Sequence, residues 1–323
     1  AFTRLYDTAA RREVLKPGAR GNVFQMFEDR PDNYDAWNLE QYYSEHMWEL
    51  DGPAELSVEE NSAVRCCVLV KRAFSRSAME QRIVFYPHTR RIDFITHVDW
   101  HEEHALLKAA FPVDVYATRA RYDIQFGSIE RDTHRNTSWD AARFEVCAHK
   151  WADLSEAGYG VALLNDCKYG YSARGHILGM SLIKCGIYPD YAADQGSHDF
   201  TYALYPHSGS WQESGVQKSA WSLNNPLWAV AGTLDVESAF CKADTDHVAI
   251  DCVKKAEDSD DLIVRFHEYE GMRGPVTLKF GFPVASWQET NLCENPEGEE
   301  QTGELKVTVR PYEIRTFRVT PKK

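Results

Sequence analysis

Three short runs of histidine and acidic residues have the types and spacing that could bind a metal ion. The HVD run at 97–99 places a histidine and a carboxylate on one face of a strand, but no second ligand pair lies close in sequence. The HEEH run at 101–104 has its histidines at i and i+3, whereas the helical metalloprotease arrangement requires i and i+4. His198 and Asp199, near Asp194, form a polar loop cluster that is typical of a turn network. We therefore predict no metal site in this chain.

Two stretches combine aromatic rings with acidic, amide and lysine side chains: FQMFEDRPDNYDAW at 24–37 and YGVALLNDCKYGY at 159–171. Aromatic faces stack on the C–H surfaces of sugars, while Asp, Asn and Lys side chains hydrogen-bond to hydroxyl groups, so the mixture suits a carbohydrate cleft. It is equally typical of a turn-rich surface over an ordinary aromatic core, and the residues alone leave both interpretations open. No G-x-S-x-G elbow or glycine-rich phosphate loop accompanies these stretches.

The elements that position these residues are predicted to be mostly strands. Many short segments alternate or run apolar and are rich in β-branched and aromatic residues, whereas few windows have a helical period. Turn residues at 87–89, 127–128, 158 and 170 separate the first strands. The predicted strands are 63–71, 78–86, 91–100, 117–126, 144–150, 160–166, 262–267, 276–280, 305–309 and 314–319.

The segment 101–111, HEEHALLKAAF, has the pattern closest to a helix. Pro112 and the VDV run that follows it favour an extended conformation instead. A change in composition near Asn225 and Pro226 places a domain boundary near Gly232. We expect a large domain of packed sheets over 1–232 and a small β-sandwich of immunoglobulin-like size over 233–323.

Composition and charge restrict the class of partner. The 323 residues include 36 Lys and Arg and 49 Asp and Glu, a formal net charge of −13, with 43% hydrophobic residues. An acidic chain without a basic block is not expected to bind nucleic acid or an anionic membrane. The eight cysteines form no CxxC pair, and the N-terminus lacks the features of a secretory signal. Free thiols in a reducing compartment, and therefore a cytoplasmic location, are predicted.

Long runs resemble the C-terminal half of the α-mannosidases of glycoside hydrolase family 38, in the subgroup of bacterial and cytosolic or vacuolar enzymes. The longest is IQFGSIERDTHRNTSWDAARFEVCAHKWADLSEAGYGVALLNDCKYGY at 124–171. Further runs are GNVFQMFEDRPDNYDAW at 21–37, VDWHEEHALLKAAFPV at 98–113, FTYALYPHSG at 200–209, LYDTAARREVL at 5–15 and RPYEIRTFRV at 310–319. The resemblance covers nearly the whole chain.

This resemblance implies a fold and a place in a larger enzyme. The family has an N-terminal α/β barrel that carries Zn²⁺, bound by two His and two Asp, together with the aspartate nucleophile. None of that barrel is in this sequence, so no catalytic residue, zinc ligand or other cofactor is expected here. The implied architecture is all-β: a large β-supersandwich of the galactose-mutarotase-like type, for which the absence of the first strand is left open, followed by a small C-terminal β-sandwich. We expect the chain to be a fragment, a cleaved product or a separate polypeptide.

The activity implied by the resemblance is retaining hydrolysis of terminal α-D-mannosyl residues of oligosaccharides. In such enzymes the β domain closes over the barrel, its partner, and contributes a few residues to the sugar cleft; assembly into a homo-oligomer is left open. Related Golgi-type and lysosomal enzymes have arginines where this chain has Cys167 and Lys168, and Glu28 is expected to be structural. The substrate-binding residues implied for this chain are Asp29, Asp35, Trp37, Asn165, Asp166, Lys168 and Tyr169.

Two functions of other classes compete with this one. A carbohydrate-binding module without chemistry would bind mannose in the millimolar range through a shallow site. A sugar epimerase of the mutarotase type would share the implied architecture and use a histidine acid with a carboxylate base. The leading interpretation predicts that this chain alone does not hydrolyse mannosides.

Overall fold

The computed structural model describes residues 1–233 and 239–322. Contacts between Cα atoms divide the chain into two compact units. The large unit comprises Ala1–Asp123 and Ile129–Leu227, and the small unit comprises Ile124–Ser128 and Trp228–Lys323. The boundary expected near Gly232 stays a prediction, since residues 234–238, close to the start of the second predicted domain, lie outside the described residues.

Strands form most of the large unit. In chain order they are β1 (Tyr6–Asp7), β2 (Arg12–Glu13), β3 (Val23–Glu28), β4 (Met47–Glu49), β5 (Glu55–Asn61), β6 (Cys66–Phe74), β7 (Ser77–Phe85), β8 (Ile92–Trp100), β9 (Ala105–Pro112), β10 (Arg119–Ile124), β11 (Gly127–Asp132), β12 (Val146–Cys147), β13 (Trp151–Glu156), β14 (Tyr159–Asn165), β15 (Gly170–Arg174), β16 (Ile177–Cys185) and β17 (Gly196–Ser208). The helical elements are a 3₁₀ helix (Gln41–Glu45), α1 (Ser138–Ala142) and α2 (Val216–Asn224).

Two antiparallel sheets contain nearly all of these strands. The nine-stranded sheet has the order β11-β10-β13-β14-β17-β8-β7-β6-β5, and the six-stranded sheet has the order β12-β15-β16-β9-β3-β4. Their inner faces share one apolar core, to which the first sheet contributes Phe94 and Leu163 and the second contributes Leu107 and Met180. This pair of packed sheets is the predicted large β-supersandwich.

The pattern of burial explains why these segments form strands. In β8, Phe94, Val98 and Trp100 are fully buried, while His97 and Asp99 alternate with them on the exposed face. In β9, all residues from Ala105 to Phe111 are buried, since both faces of the strand are covered. A strand covered on both faces has a continuous apolar sequence, which is why this segment resembled a helix. The predicted extended conformation is confirmed for residues 105–112.

The outer face of the nine-stranded sheet is partly covered by α2. Val216 and Ala220 of this helix, with Trp211 before it, pack on Trp151 and Leu164 of the sheet. The sequence analysis predicted neither this helix nor α1.

Three local predictions differ from the structure. The strand predicted at 144–150 is reduced to β12, because the amides of Ala148 and His149 bond to Tyr169 and Asp123 outside the ladder. The turn predicted at 127–128 lies earlier, where Phe126 adopts a left-handed φ of 52°, and β11 already begins at residue 127. Residue 170 begins β15 and is not a turn.

The small unit is a β-sandwich of two antiparallel sheets. Its strands are β18 (Cys241–Ala243), β19 (Val248–Lys255), β20 (Leu262–Glu268), β21 (Gly274–Phe280), β22 (Val284–Thr290), β23 (Leu305–Val309) and β24 (Ile314–Pro321). The sheets have the orders β18-β21-β23 and β19-β20-β24-β22. Val276 and Leu305 from the first pack against Phe266 and Phe317 from the second. The all-β fold class, with a large supersandwich and a small sandwich, is confirmed.

Across residues 1–233 and 239–322, helices are too short or too polar to cross a membrane.

Candidate functional site

Six of the seven predicted site residues lie on loops at one edge of the large unit, and the seventh, Asn165, ends the strand before one of these loops. In the six-stranded sheet, Ala105 at the start of β9 pairs with Glu28 at the end of β3 and with Cys185 at the end of β16. In the nine-stranded sheet, the end of β8 pairs with the start of β17, and β14 ends beside β17. Short connections from β8 to β9 and from β16 to β17 join the two sheets here. We call these segments the loop edge; they are residues 29–40, 101–104, 166–169 and 186–195.

Asp29 follows β3 directly and is fully buried. Its amide donates to the carbonyl of His104 at 2.8 Å. Lys184 Nζ lies 2.8 Å from Asp29 Oδ2 as an ion pair, but neither carboxylate oxygen accepts a well-aligned hydrogen bond from the described residues. Burial raises the pKa of Asp29, and the lysine opposes this effect. This carboxylate is therefore held inside the loop edge rather than exposed to a ligand.

Asp35 fastens the 186–195 segment to the segment that follows β3. Its Oδ2 accepts hydrogen bonds from the amides of Ile187 at 2.6 Å and Tyr188 at 3.1 Å. The main-chain oxygen of Asp35 accepts from Lys184 Nζ at 2.7 Å. Gly186 makes this approach possible, because a Cβ atom there would lie 2.8 Å from Asp35 Cγ. Asp35 thus organises a loop connection.

Exposed aromatic rings lie on the same segments as the carboxylates of Asp29 and Asp35 or on the segment that Asp35 holds. Trp37 is 72% exposed and stacks on Tyr34 with ring centroids 5.5 Å apart and an interplanar angle of 19°. Tyr188 and Tyr191, on the segment that Asp35 holds, are also exposed. These rings offer flat apolar faces to whatever approaches the loop edge.

Asn165 ends β14 and shapes the turn after it. Its Nδ2 donates to the carbonyl of His149 at 2.7 Å and to the hydroxyl of Tyr171. Its Oδ1 accepts from the amide of Lys168 at 2.6 Å. Asn165 is almost completely buried, so its position favours a structural contribution to residues 166–169.

Asp166, Lys168 and Tyr169 lie on this turn with more exposure. Both carboxylate oxygens of Asp166 lie 3.0 Å from the amide of Thr201. Lys168 Nζ lies 4.5 Å above the ring of Phe200. Burial lowers the pKa of Lys168, while Cys167, Asp166 and Asp194 oppose that effect. Tyr169 is 56% exposed.

Asp194 connects the two groups of site residues electrostatically. Its charge acts on Lys168 and also on Cys185, and Cys185 in turn feels Asp29. Six of the seven predicted residues lie on segments of the loop edge, and Asn165 ends the strand that leads into it. Within it Asp29, Asp35 and Asn165 are buried or engaged by backbone groups, whereas Trp37 and Tyr169 are exposed.

A cavity of about 520 Å³ opens beside His104 of the loop edge. Glu28, Arg30 and His46 line it. Glu28 binds Arg30 Nε at 2.7 Å and His46 Nδ1 at 2.9 Å, and these hydrogen bonds lower its pKa. Such pairing fits the structural function expected for Glu28.

The histidine runs singled out in the sequence form separate surface pairs. His97 Nδ1 lies 2.8 Å from Asp199, and His101 Nε2 lies 2.8 Å from Asp99. His198 Nε2 lies 2.7 Å from the carbonyl of Asp194. Within 1–233 and 239–322, the group with metal-ligand geometry lies elsewhere and consists of Asp132, His134 and Asp140.

The loop edge combines exposed aromatic rings with hydrogen-bonding groups, a mixture that suits the recognition of a sugar. Residues 1–192 match the family model for the C-terminal domain of glycosyl hydrolases family 38, and residues 247–317 match the model for the C-terminal beta sandwich domain of that family. The chain belongs to glycoside hydrolase family 38, and the predicted resemblance is confirmed. Membership in this family is consistent with a metal-dependent enzyme.

Similar proteins are considerably longer than this chain. It is 40% identical over 334 residues to alpha-mannosidase G of Dictyostelium discoideum, covering 97% of this chain and 30% of that protein. It is also 40% identical over 328 residues to the human alpha-mannosidase 2C1, covering 97% and 31%. The yeast alpha-mannosidase is 29% identical over 333 residues, covering 92% and 31%. The chain thus corresponds to the C-terminal part of larger enzymes.

Solved structures support the fold. A family 38 protein and an alpha-mannosidase, both from Enterococcus faecalis, superpose with TM-scores of 0.79 and 0.77 at 16% identity. Each alignment covers 98% of this chain and 41% or 40% of the other chain.

Sequence reasoning missed several polar groups near the predicted residues. Lys184 is the penultimate residue of a strand that was not predicted, and Tyr188 and Tyr191 lie in the connection after that strand. The PDYAAD sequence at 189–194 carries turn-forming residues beside a tyrosine. It has the same mixture of aromatic and acidic residues as the two stretches that were singled out.

Proposed function

We propose that this chain is the C-terminal β portion of a retaining α-mannosidase that hydrolyses terminal α-D-mannosyl residues of oligosaccharides. In this proposal the loop edge forms part of the sugar cleft and faces an N-terminal catalytic barrel. The observation that carries the proposal is that six of the seven family-implied residues lie on the loop edge, with Asn165 at the end of the strand before it, in a chain that matches about 30% of the length of α-mannosidases.

The exposed members of the loop edge contact the sugar in this proposal. Trp37 presents a ring already held parallel to Tyr34, and Tyr169 presents a second exposed ring. Stacked rings suit the apolar face of a pyranose. On the same turn as Tyr169, the ammonium group of Lys168 and the carboxylate of Asp166 can hydrogen-bond to hydroxyl groups of the sugar.

The buried members position the exposed ones. Asp35 holds the segment that carries Tyr188, and Asn165 holds the turn that carries Lys168. Tyr34, His104 and Asp194 adopt left-handed φ values of 61°, 48° and 58°. Such backbone strain in residues other than glycine is concentrated at functional sites in proteins, which supports a functional loop edge.

Zinc belongs to the barrel in this proposal, where it would orient the sugar hydroxyls. The one ligand-like group among the described residues does not fit such an ion. Asp132 of the ligand-like group is paired with Arg119 Nε at 3.1 Å, and Asp140 caps α1 through Thr137. Only three ligand groups converge there within the described residues, and a guanidinium beside one of them repels a cation.

The test measures hydrolysis of an aryl α-mannoside. The chain is assayed alone, with added Zn²⁺, and after mixing with a polypeptide that carries the family's N-terminal barrel. We expect activity in the mixture and none in the chain alone. Activity of the chain alone would overturn the assignment of catalysis to the barrel, and an inactive mixture in which the two parts demonstrably associate would overturn the proposal.

Substitution at the loop edge tests sugar contact within the assembled enzyme. Tyr169→Ala is expected to raise KM roughly tenfold, the loss equivalent to one stacking contact. Tyr116→Ala is the matched control, since Tyr116 is 85% exposed and follows β9 at the opposite edge of the sheet. Equal kinetics for the two variants would count against sugar contact by this turn.

The competing function is a carbohydrate-binding module without catalysis. The exposed Tyr34–Trp37 stack favours this function, because the stack is formed within this chain and does not require the barrel. It predicts saturable mannose binding by the chain alone, in the millimolar range. Titration with mannose, followed by tryptophan fluorescence, distinguishes the two functions, since the leading proposal expects no saturable change without the barrel. The cytoplasmic location and a homo-oligomeric state stay proposals that depend on the sequence.

A further inference from the structure

A second cavity lies on the outer face of the six-stranded sheet. It has a volume of about 220 Å³. Its floor includes Gln25, Lys108 and Ser172 from neighbouring strands, and the segment from Asp132 to Phe144, which contains α1, forms a wall. None of the seven predicted site residues lines it, so it is separate from the proposed sugar cleft.

Three arginines line this cavity, and none of them is held by a salt bridge among the described residues. The guanidinium groups of Arg135, Arg143 and Arg174 form no ion pair or hydrogen bond with the residues described at 1–233 and 239–322. Neighbouring Arg119, by contrast, binds both Asp132 and Glu130. In a chain with a formal net charge of −13, three unpaired arginines at one small cavity are a departure from the general pattern of pairing.

Two of these arginines influence the same phenol in the lining of the cavity. Arg135 and Arg174 both act electrostatically on the phenol of Tyr43. That phenol and Lys108 belong to a buried network in which Lys108 contacts Glu145 and donates to Ser172 Oγ at 2.9 Å. Because the charge of Lys108 is already neutralised by Glu145, the arginines are the groups left to bind a ligand.

The two carboxylates that line the cavity, Asp132 and Asp140, offset only part of the charge of the three arginines, and the charge of Arg143 acts on Asp140. Asp132 is paired with Arg119, and Asp140 accepts from Thr137 Oγ1 at 2.7 Å as part of a capping box. His134 Nδ1 also lies 3.5 Å from Asp140 Oδ2. The excess charge in the cavity is therefore positive.

We propose that this cavity binds a phosphate-type oxyanion, either free or as the phosphoryl group of a small sugar phosphate. Guanidinium groups match the oxygens of a phosphoryl group with paired, charge-assisted hydrogen bonds. The cavity is smaller than the ~300 Å³ at which sites for drug-sized ligands begin, so it suits a small anion and not an oligosaccharide. This inference does not depend on the proposed hydrolase function.

The test is calorimetric titration of the 323-residue chain with inorganic phosphate, with glucose 6-phosphate and with glucose. We expect saturable binding of both phosphates, weaker at high salt, and none of glucose. Tighter binding of glucose 6-phosphate than of inorganic phosphate would identify a sugar phosphate as the ligand, and equal binding would identify the free anion. No saturable binding of either phosphate up to about 10 mM would overturn the proposal.

Two variants distinguish phosphate binding in this cavity from non-specific electrostatic attraction of phosphate to the protein surface. The double substitution Arg135→Gln with Arg174→Gln is expected to weaken phosphate binding at least tenfold, since each charge-assisted hydrogen bond is worth about a tenfold change or more. Arg273→Gln, an exposed arginine in the small unit, is the matched control and is expected to leave binding unchanged. Equal affinity in the double variant and the control would overturn the site. Thermal melting of each variant verifies that it is folded.

Discussion

Two buried polar clusters in the large unit are built in opposite ways. The sheet-face network consists of Lys108, Glu145, Tyr43 and Ser172; there Glu145 also accepts from Tyr43 at 2.7 Å and Lys108 also contacts Ser172 at 2.9 Å. The loop cluster consists of Asp29, Asp35, His104 and Lys184, in which Asp29 oxygens, Asp35 Oδ1 and His104 Nδ1 lack aligned hydrogen-bond partners among the described residues. A fully satisfied network stiffens a scaffold, whereas a partly satisfied one is typical of a site that is completed by another molecule.

The location of the two clusters explains this difference. Lys108 and Ser172 lie on two strands of one sheet, β9 and β15, with β16 between them, so the strand pairing fixes their separation. The loop cluster is held by connections between the two sheets, and His104 there has a left-handed φ of 48°. Rigidity in this unit is therefore concentrated on the sheet face, and adaptability is concentrated at the loop edge.

The largest expected effect comes from breaking the sheet-face network. Lys108→Met removes the charge that balances Glu145, whose side chain is 13% exposed. We expect a loss of about 3–5 kcal/mol in the free energy of unfolding, because an uncompensated charge stays buried. Urea denaturation followed by tryptophan fluorescence measures it.

A double variant serves as the control for this prediction. Lys108→Met with Glu145→Leu removes both charges and is expected to recover most of the lost stability. If the single variant does not fold, recovery of a folded chain in the double variant still tests the argument. A single variant within about 1 kcal/mol of the parent would contradict a tightly coupled pair.

Asp35→Ala is expected to have an intermediate effect. Two amides of the 186–195 segment lose their acceptor, which costs about 1–3 kcal/mol and releases that segment. Limited proteolysis between residues 186 and 195 should become faster. Asp32→Ala is the matched control, as Asp32 is exposed and its side chain only meets the Tyr42 hydroxyl at 3.4 Å; equal cleavage of both variants would contradict the anchoring role.

Regular elements were predictable from the sequence because their periodicity is local. The strand predicted at 305–309 coincides with β23, and the alternation of β8 placed His97 and Asp99 on one face, as the structure has them. The family resemblance brought the seven site residues forward by their motifs. Strand periodicity alone could not show that Asp29 is buried, since its ion-pair partner Lys184 is distant in sequence.

The arginine cavity was not predictable for a related reason. Arg135 and Arg174 lie in different segments of the sequence. Both line the same cavity because β15 and the segment before α1 border the same sheet face. Their lack of partners is a property of three-dimensional neighbours. The spacing of residues in the sequence does not show that these arginines lack ion-pair partners.

The pH dependence of stability tests the loop cluster. Burial raises the folded-state pKa of Asp29 above its ordinary value of 3.8, so the folded state binds a proton more readily than the unfolded state. This group therefore adds stability as the pH falls through its folded pKa towards 3.8, and that contribution is lost as the pH rises. Asp29→Asn should remove this dependence.

The measurement compares urea denaturation at pH 7 and pH 4. The stability of Asp29→Asn relative to the parent should be higher at pH 7 than at pH 4, by about 1 kcal/mol or less. Asp32→Asn, at an exposed position two residues before the aromatic stack, is the control. The opposite sign would show that the ion pair with Lys184 outweighs the burial of Asp29.

Trp37→Ala is expected to change stability least, although Trp37 lies only two residues from Asp35. The ring is 72% exposed and contacts Tyr34 on the surface, so its removal should alter the free energy of unfolding by no more than about 0.5 kcal/mol. In the enzyme assembled with the barrel it should raise KM for an aryl α-mannoside. Trp139→Ala, at a tryptophan that is 75% exposed on α1, is the matched control for both measurements. A destabilised Trp37 variant with unchanged KM would make this ring part of the scaffold, and the contrast between the anchoring Asp35 and an adaptable, ligand-facing surface would fail.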